Sequence, residues 1–249
     1  MSRFIFYFIF LLLPISAASQ TLEQGIALFG QENYDQAESI FQKLLDSDSK
    51  NASAQFYLGR IAFEKEDHDK ALKLFEKASE IESDSPVYTM WIGNAYGRKA
   101  QKASVLRQAG YAKKCIAHYE KAIELDPNFV PARFRAIDYY VEAPGFVGGG
   151  RDKAEAQVLE IETIDPKEAY MAKGIIYSFF KEESKLVENY ESAISAYPEF
   201  MPPYFELFEY YYGHKKYEEA ASLARAQLSV NDSTAVILEN LNRALEHLE

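Results

Sequence analysis

The sequence predicts an all-α chain, a solenoid of about six helical pairs closed by one further helix. Three observations carry that expectation. Gly25, Gly59 and Gly93 recur at intervals of 34 residues, and Ala37 with Ala71, Phe41 with Phe75, and Leu186 with Ala220 keep the same interval. Between these anchors the apolar residues fall three or four apart, so that Ala71, Phe75 and Ala78 line one helical face and Leu58, Ala62 and Phe63 line another. A single helical pair cannot hide its own apolar face, and stacked copies share one continuous core.

The chain opens on a segment that reads as a cleaved export leader rather than as fold. Arg3 gives a short positive start, Phe4 to Leu13 is unbroken apolar sequence, and Pro14 ends it. The small residues from Ser16 to Ser19 then suit a signal peptidase, with cleavage after Ala18 or after Ser19. The apolar run is half the roughly twenty residues needed to cross a bilayer. No cysteine follows the cut, so lipid attachment is not expected there, and the mature protein is expected to have no stable membrane insertion.

The whole chain carries 27 Lys and Arg against 38 Asp and Glu, a formal charge of −11, and losing Arg3 with the leader makes it one unit more negative. Such a balance argues against nucleic acid as a partner, because phosphate affinity comes from neutralising cations. The one cysteine, Cys115, has no partner for an internal disulfide, so packing has to supply the stability. It falls at a small, buried position of its pair and is read as a packing residue.

The units take their boundaries from the period: leader 1–19, then repeats over 20–50, 51–84, 85–129, 130–166, 167–200 and 201–232, and a capping helix over 233–249. The third reads Trp91-Ile92-Gly93, Tyr96, then Cys115, Tyr119, Ala122 and Pro127. The fifth reads Gly174, Tyr177, Leu186, Tyr190, Ala193 and Pro198. In kind and spacing these residues resemble the tetratricopeptide repeat family, in which a Leu-Gly and a Tyr on the first helix precede a small residue, an aromatic, an Ala and a Pro. The resemblance implies a right-handed α-solenoid. Gly59 and Gly93 are expected to let the two helices of a pair approach closely, while Phe75, Tyr119 and Tyr190 fill the space between units. Asp126-Pro127 and Asp165-Pro166 end helices, since proline disfavours the α conformation in the residue before it. In the capping helix Val236, Leu238, Leu241 and Leu245 are expected inside, with Glu239, Asn242 and Glu246 outside.

Two stretches depart from the period. Gly93 to Cys115 spans 22 residues where Gly59 to Ala71 spans 12, and the extra residues within Gly97 to Gly110 include no proline. They read as lengthened helices. The second departure is the run Ala143-Pro144-Gly145-Phe146-Val147-Gly148-Gly149-Gly150 inside the fourth unit. The pattern Tyr-x-x-Ala-Pro-Gly-x-x-Gly-Gly from Tyr140 resembles a loop found in a group of exported bacterial repeat proteins. Gly148, Gly149 and Gly150 precede a helix, where exposed amides attract anions. With no Gly-Lys-Ser/Thr ending and no preceding strand, a structural turn is the expectation, its apolar tip of Phe146 and Val147 docked within the chain.

Charge is uneven as well. From Ser85 to Tyr119 there is no Asp or Glu, while Arg98, Lys99, Lys102, Arg107, Lys113 and Lys114 all lie inside. This basic patch either meets an acidic partner or pairs with the acidic helices beside it.

No catalytic residue, metal site or cofactor is expected. His68, His118, His214 and His247 fall in separate units without ligand spacing and read as helix-surface residues. A binding groove is the expectation instead. In the family the first helix of each unit lines the concave face. By position that implies Phe56, Arg60 and Phe63, then Met90, Asn94 and Arg98, then Phe134, Arg135 and Asp138, and finally Met171 and Tyr212. Some members grip a peptide carboxylate with Asn, Lys and Arg from neighbouring first helices; Asn94 matches such an Asn, with Arg60, Arg98 and Arg135 near, but the lysines are missing. The sequence is thus read as a non-enzymatic scaffold of the bacterial periplasm holding a protein or peptide, acidic in character. The competing readings are an anion- or small-molecule-binding repeat subunit of a transport system, and a self-associating structural protein.

Overall fold

A computed structural model describes residues 17–230 and 235–248, with side chains from residue 21 onward. The leader expected over 1–19 lies, but for its last three residues, outside the described residues. Among the described residues there are thirteen α-helices, one 3₁₀ turn and no strand. Contacts divide the chain into two compact units, the first ending at Lys102 and the second starting at Ala103.

The N-terminal unit holds α1 (Ala17–Gly30), α2 (Tyr34–Ser47), α3 (Ala52–Glu64), α4 (His68–Ile81) and α5 (Pro86–Lys102). Within this unit α1 to α5 pack in succession, and α1 also reaches α3. Glycine sets the crossing within a pair. A Cβ on Gly25 would stand 2.6 Å from the Phe41 ring, and one on Gly59 the same distance from Phe75. Phe41 and Phe75 are fully buried, each contributing about 1.5–3 kcal/mol of burial. Phe75 therefore fills the notch of its own pair, where it also meets the Phe56 ring, and through its contact with Trp91 the seam to the next.

The C-terminal unit holds α6 (Val105–Leu125), α7 (Val130–Glu142), a 3₁₀ turn (Gly145–Val147), α8 (Arg151–Ile164), α9 (Pro166–Phe179), α10 (Glu183–Ala196), α11 (Pro202–Gly213), α12 (Tyr217–Val230) and α13 (Ala235–Leu245). Here too, successive helices pack in sequence order. Gly174 repeats the glycine–aromatic notch, with the Tyr190 hydroxyl 2.1 Å from where a Cβ would stand. The residues in excess of the period continue two helices, giving α5 17 residues and α6 21 where the others have 11 to 14.

The turns within pairs obey a second period that the composition conceals. Glu32, Glu66, Lys181 and Lys215 have φ of 59°, 61°, 56° and 59°. Each sits just past the end of a first helix. The following amide reaches back to close that end, as Asp67 N–H does to the Ala62 carbonyl at 2.8 Å and Glu182 N–H to that of Tyr177 at 2.8 Å. This is the left-handed C-terminal closure usually given to glycine. Charged residues occupy it four times, at a steric cost that glycine would avoid.

Two expectations are corrected here. In α13 the buried face is Ile237, Asn240 and Ala244, whereas Val236 and Leu238 are 52% and 44% exposed. At about 100° per residue Val236 and Leu238 lie about 160° apart around the helix, too far to share one stripe. His68 is buried rather than on the surface, its ring 5.2 Å from that of Phe63. Burial, then the nearby Lys102 and Arg98, lowers its pKa and favours the neutral ring.

Candidate functional site

The most distinctive chemistry lies on the face built by the first helices α1, α3 and α5. Gly59 lets the Phe75 ring close against α3, Phe75 backs Trp91 at 5.6 Å, and Trp91 lies under the Arg60 guanidinium at 3.8 Å. Phe29 covers the same guanidinium at 4.9 Å, and Phe56 lies 5.9 Å away. Arg60 is thus held between rings from neighbouring first helices, an arrangement favourable to a delocalised cation. Its Nε is buried without a hydrogen-bond partner, and its one carboxylate neighbour, Glu64, stands 4.0 Å from Nη2. Burial is the main influence on Arg60 and lowers its pKa. The side chain as a whole remains 23% exposed. A desolvated cation with a poorly served hydrogen-bonding fork stands to gain from an anion.

The strip continues along α5. Phe63 meets Trp91 edge-on at 5.3 Å, and the exposed Arg98 reaches over Phe63 at 5.9 Å. Asn94, half-buried, is one helical turn from both Trp91 and Arg98. The surface therefore has an arginine at either end and aromatic rings between. The groups it presents are guanidinium forks, which suit carboxylate or phosphate oxygens, and ring faces, which suit apolar groups.

Other expected groove residues serve elsewhere. Phe56 and Met90 are buried and belong to the core; Phe56 packs on Tyr88 at 4.9 Å. Arg135 is exposed and bonds Asp138 at 3.2 Å, and burial raises the Asp138 pKa. Phe134 is half-buried. Met171 packs against a cluster of Leu186, Tyr190 and Leu207. Tyr212 is covered by α13 and the residues just after it: Arg243, bound to Glu209 at 2.8 Å, lies 4.5 Å over its ring, and His247 Nε2 lies 3.1 Å from its hydroxyl. Phe29 and Trp91 were absent from the expected groove, because spacing along one helix does not reveal which rings reach across to its neighbours.

The basic patch divides between the two units. In the first, Lys99 bonds Asp69 and Lys102 bonds Glu66 at 3.1 Å, so acidic residues of α4 and its preceding turn engage both. In the second, Arg107, Lys113 and Lys114 are exposed on α6.

The glycine run is a closed turn. Gly148 takes φ of 104°, and a Cβ on Gly149 would fall 1.7 Å from the Ala143 carbonyl oxygen. The amides of Gly148, Gly149 and Gly150 donate to the carbonyls of Gly145, Pro144 and Tyr140, so none of the three is left for an anion. Gly145 has open space around it. Of the two apolar tip residues only Val147 docks; it is buried, and its carbonyl accepts from the Tyr139 hydroxyl at 2.7 Å. Phe146, expected to dock with it, is 77% exposed, because the short 3₁₀ turn points neighbouring side chains in different directions.

Sequence reasoning also missed Arg133. It is 5% exposed, donates from Nε and Nη2 to the Pro127 carbonyl at 3.0 and 2.8 Å, and from Nη1 to Gln157 at 2.7 Å. Among the described residues no group of three or more His, Cys, Asp or Glu is placed to hold a metal ion.

Comparison with known proteins agrees with this architecture. Tetratricopeptide repeat family profiles match residues 22–86 and 91–129. No curated protein matches the sequence. Among solved structures, the TPR protein TTC0263 of Thermus thermophilus is 20% identical, over 75% of this chain and 95% of that one, with a TM-score of 0.62. The human IFIT1 dimer with m7Gppp-AAAA is 19% identical over 93% of this chain and 54% of that one, with a TM-score of 0.67. A tetratricopeptide repeat protein from Parabacteroides merdae is 13% identical over 92% and 98%, with a TM-score of 0.54. Residues 22–129 therefore carry tetratricopeptide repeats, and the chain as a whole shares the helical fold of such proteins.

Proposed function

We propose that this protein is an exported interaction scaffold of the bacterial periplasm, whose α1–α3–α5 face holds an acidic peptide or an acidic segment of a protein. The observation behind this reading is Arg60, a guanidinium packed between Phe29 and Trp91 with an orphaned Nε and a partly exposed fork. A carboxylate of the partner meets that fork, an adjacent apolar side chain lies along Trp91 and Phe63, and Arg98 receives a second carboxylate. The leader-like start of the sequence, with its small residues at 16–19, supports export.

The site supplies its own reporter. Trp91 is the single tryptophan of the chain and touches Arg60, so ligand binding alters its emission directly. Acidic peptides are expected to change that emission saturably, while lysine-rich peptides of matched length do not. Arg60→Gln should weaken binding about tenfold, equivalent to about 1.4 kcal/mol. Emission unmoved by every acidic peptide, or affinity unchanged in Arg60→Gln, overturns the reading. Equal binding of inorganic phosphate or small dicarboxylates favours an anion-binding subunit instead.

A further inference from the structure

The amino-terminal part of α6 is its most exposed stretch, with only Ala109, Tyr111 and Ala112 half-buried. From Val105 to Lys114 no side chain is buried, and Cys115 is the first residue of the helix that is. Val105 and Leu106 are 85% and 96% exposed, the two highest values among the large apolar residues described. Arg107, Lys113 and Lys114 share these turns, with no carboxylate between Ser85 and Tyr119. Helical spacing places Lys113 on the Leu106 face and Lys114 on the Arg107 face, both roughly 10 Å further along the axis.

We propose that the exposed first turns of α6 are a peripheral docking site for a bilayer surface bearing anionic lipid headgroups. Val105 and Leu106 enter the interface side by side, Arg107 meets the first phosphates, and the cations two turns on lie at headgroup height. Charge complementarity selects the occupant, because these turns are cationic in a chain of net −11. Shape favours a bilayer over a protein partner: two side chains standing out on a convex turn need a pocket in a protein, whereas a bilayer interface needs none. The acidic remainder of the molecule is repelled by the same surface. Screening beyond about 8 Å at physiological salt confines the attraction to residues that touch it. Among the described residues no helix is long and apolar enough to cross a membrane, so the contact is superficial. This inference does not depend on the peptide site around Arg60.

The test uses the mature chain with mixed phosphatidylglycerol–phosphatidylcholine vesicles and with pure phosphatidylcholine vesicles. Leu106→Cys provides a unique exposed thiol for an environment-sensitive dye, since the native Cys115 is buried. Its emission should shift blue on the anionic vesicles alone. In co-sedimentation, Val105→Ser with Leu106→Ser should lower partitioning about fivefold, and Arg107→Glu with Lys113→Glu about tenfold or more. All four positions are exposed, so circular dichroism should be unchanged, and Arg60→Gln should partition like the parent chain. Absence of anionic-vesicle binding, or binding indifferent to both double variants, overturns the proposal. So does loss of an acidic protein partner in these variants when the parent chain ignores vesicles, which would assign the turns to a protein.

Discussion

Arg60 and Arg133 each sit on the first helix of a pair, yet the protein around them treats the charge in opposite ways. Around Arg133 the chain completes the hydrogen bonding itself: the Pro127 carbonyl takes two donors and Gln157 a third, with Glu160 3.6 Å away. Around Arg60 it supplies ring faces, leaves Nε without an acceptor, and keeps part of the fork open. The first arrangement fixes the turn between α6 and α7; the second leaves hydrogen-bonding capacity unused. Burial alone does not tell these two arginines apart. What the surrounding atoms leave unsatisfied does.

The contrast has a direct test in one substitution made twice. Arg133→Met should destabilise the protein by about 2–4 kcal/mol in denaturant unfolding, because it strands the Pro127 carbonyl and removes a buried network. Arg60→Met should change stability by less than about 1 kcal/mol, since methionine keeps the ring contacts and relieves a buried donor, while acidic-peptide binding is lost. Equal losses of stability would erase the distinction. Gly59→Leu sharpens it from the packing side. Its Cβ would meet Phe75 at 2.6 Å, so a loss of about 1–3 kcal/mol is expected, together with altered Trp91 emission because Phe75 supports Trp91. An unperturbed emission spectrum would detach the site from the glycine notch.

Smaller effects follow in the turns. Lys181→Gly and Lys215→Gly should each raise stability by about 0.5–1 kcal/mol, since both lysines hold a left-handed conformation that glycine adopts without cost. Phe146→Ser should leave the melting temperature nearly unchanged, within about 0.5 kcal/mol, because its side chain is exposed while Val147 does the docking. A clear drop would mean that Phe146 packs after all.

The architecture was legible because it repeats. The interval shared by Gly25, Gly59 and Gly93 is a covalent fact, and the notch that Gly25 and Gly59 make needs only a nearby aromatic one helix later. Lengthened helices could be inferred for 97–110 from the missing prolines. The site was legible only in part. Arg60, Phe63, Asn94 and Arg98 could be placed on a first helix by position, but the rings that hold Arg60 come from α1 and α5. Those depend on how helices cross. The same gap explains Phe56 and Met90, which share the inward helices yet point into the core. Arg133 was invisible because its acceptors are a backbone carbonyl and a distant Gln157. The capping helix was misjudged by assigning more apolar residues to one face than a helix can carry there.

The two departures from the period, 97–110 and 143–150, have a consequence for how the chain finds its own order. A polypeptide made of near-identical helical pairs risks pairing a segment with the wrong neighbour, since every alternative buries similar surface. The left-handed turns at Glu32, Glu66, Lys181 and Lys215 are interchangeable and would not object to such an exchange. The long helix ends around Lys102 and Val105 and the proline–glycine turn at Gly148 fit one place each. They act as addresses in an otherwise repetitive text, and they make each mistaken alignment collide with something before it can settle.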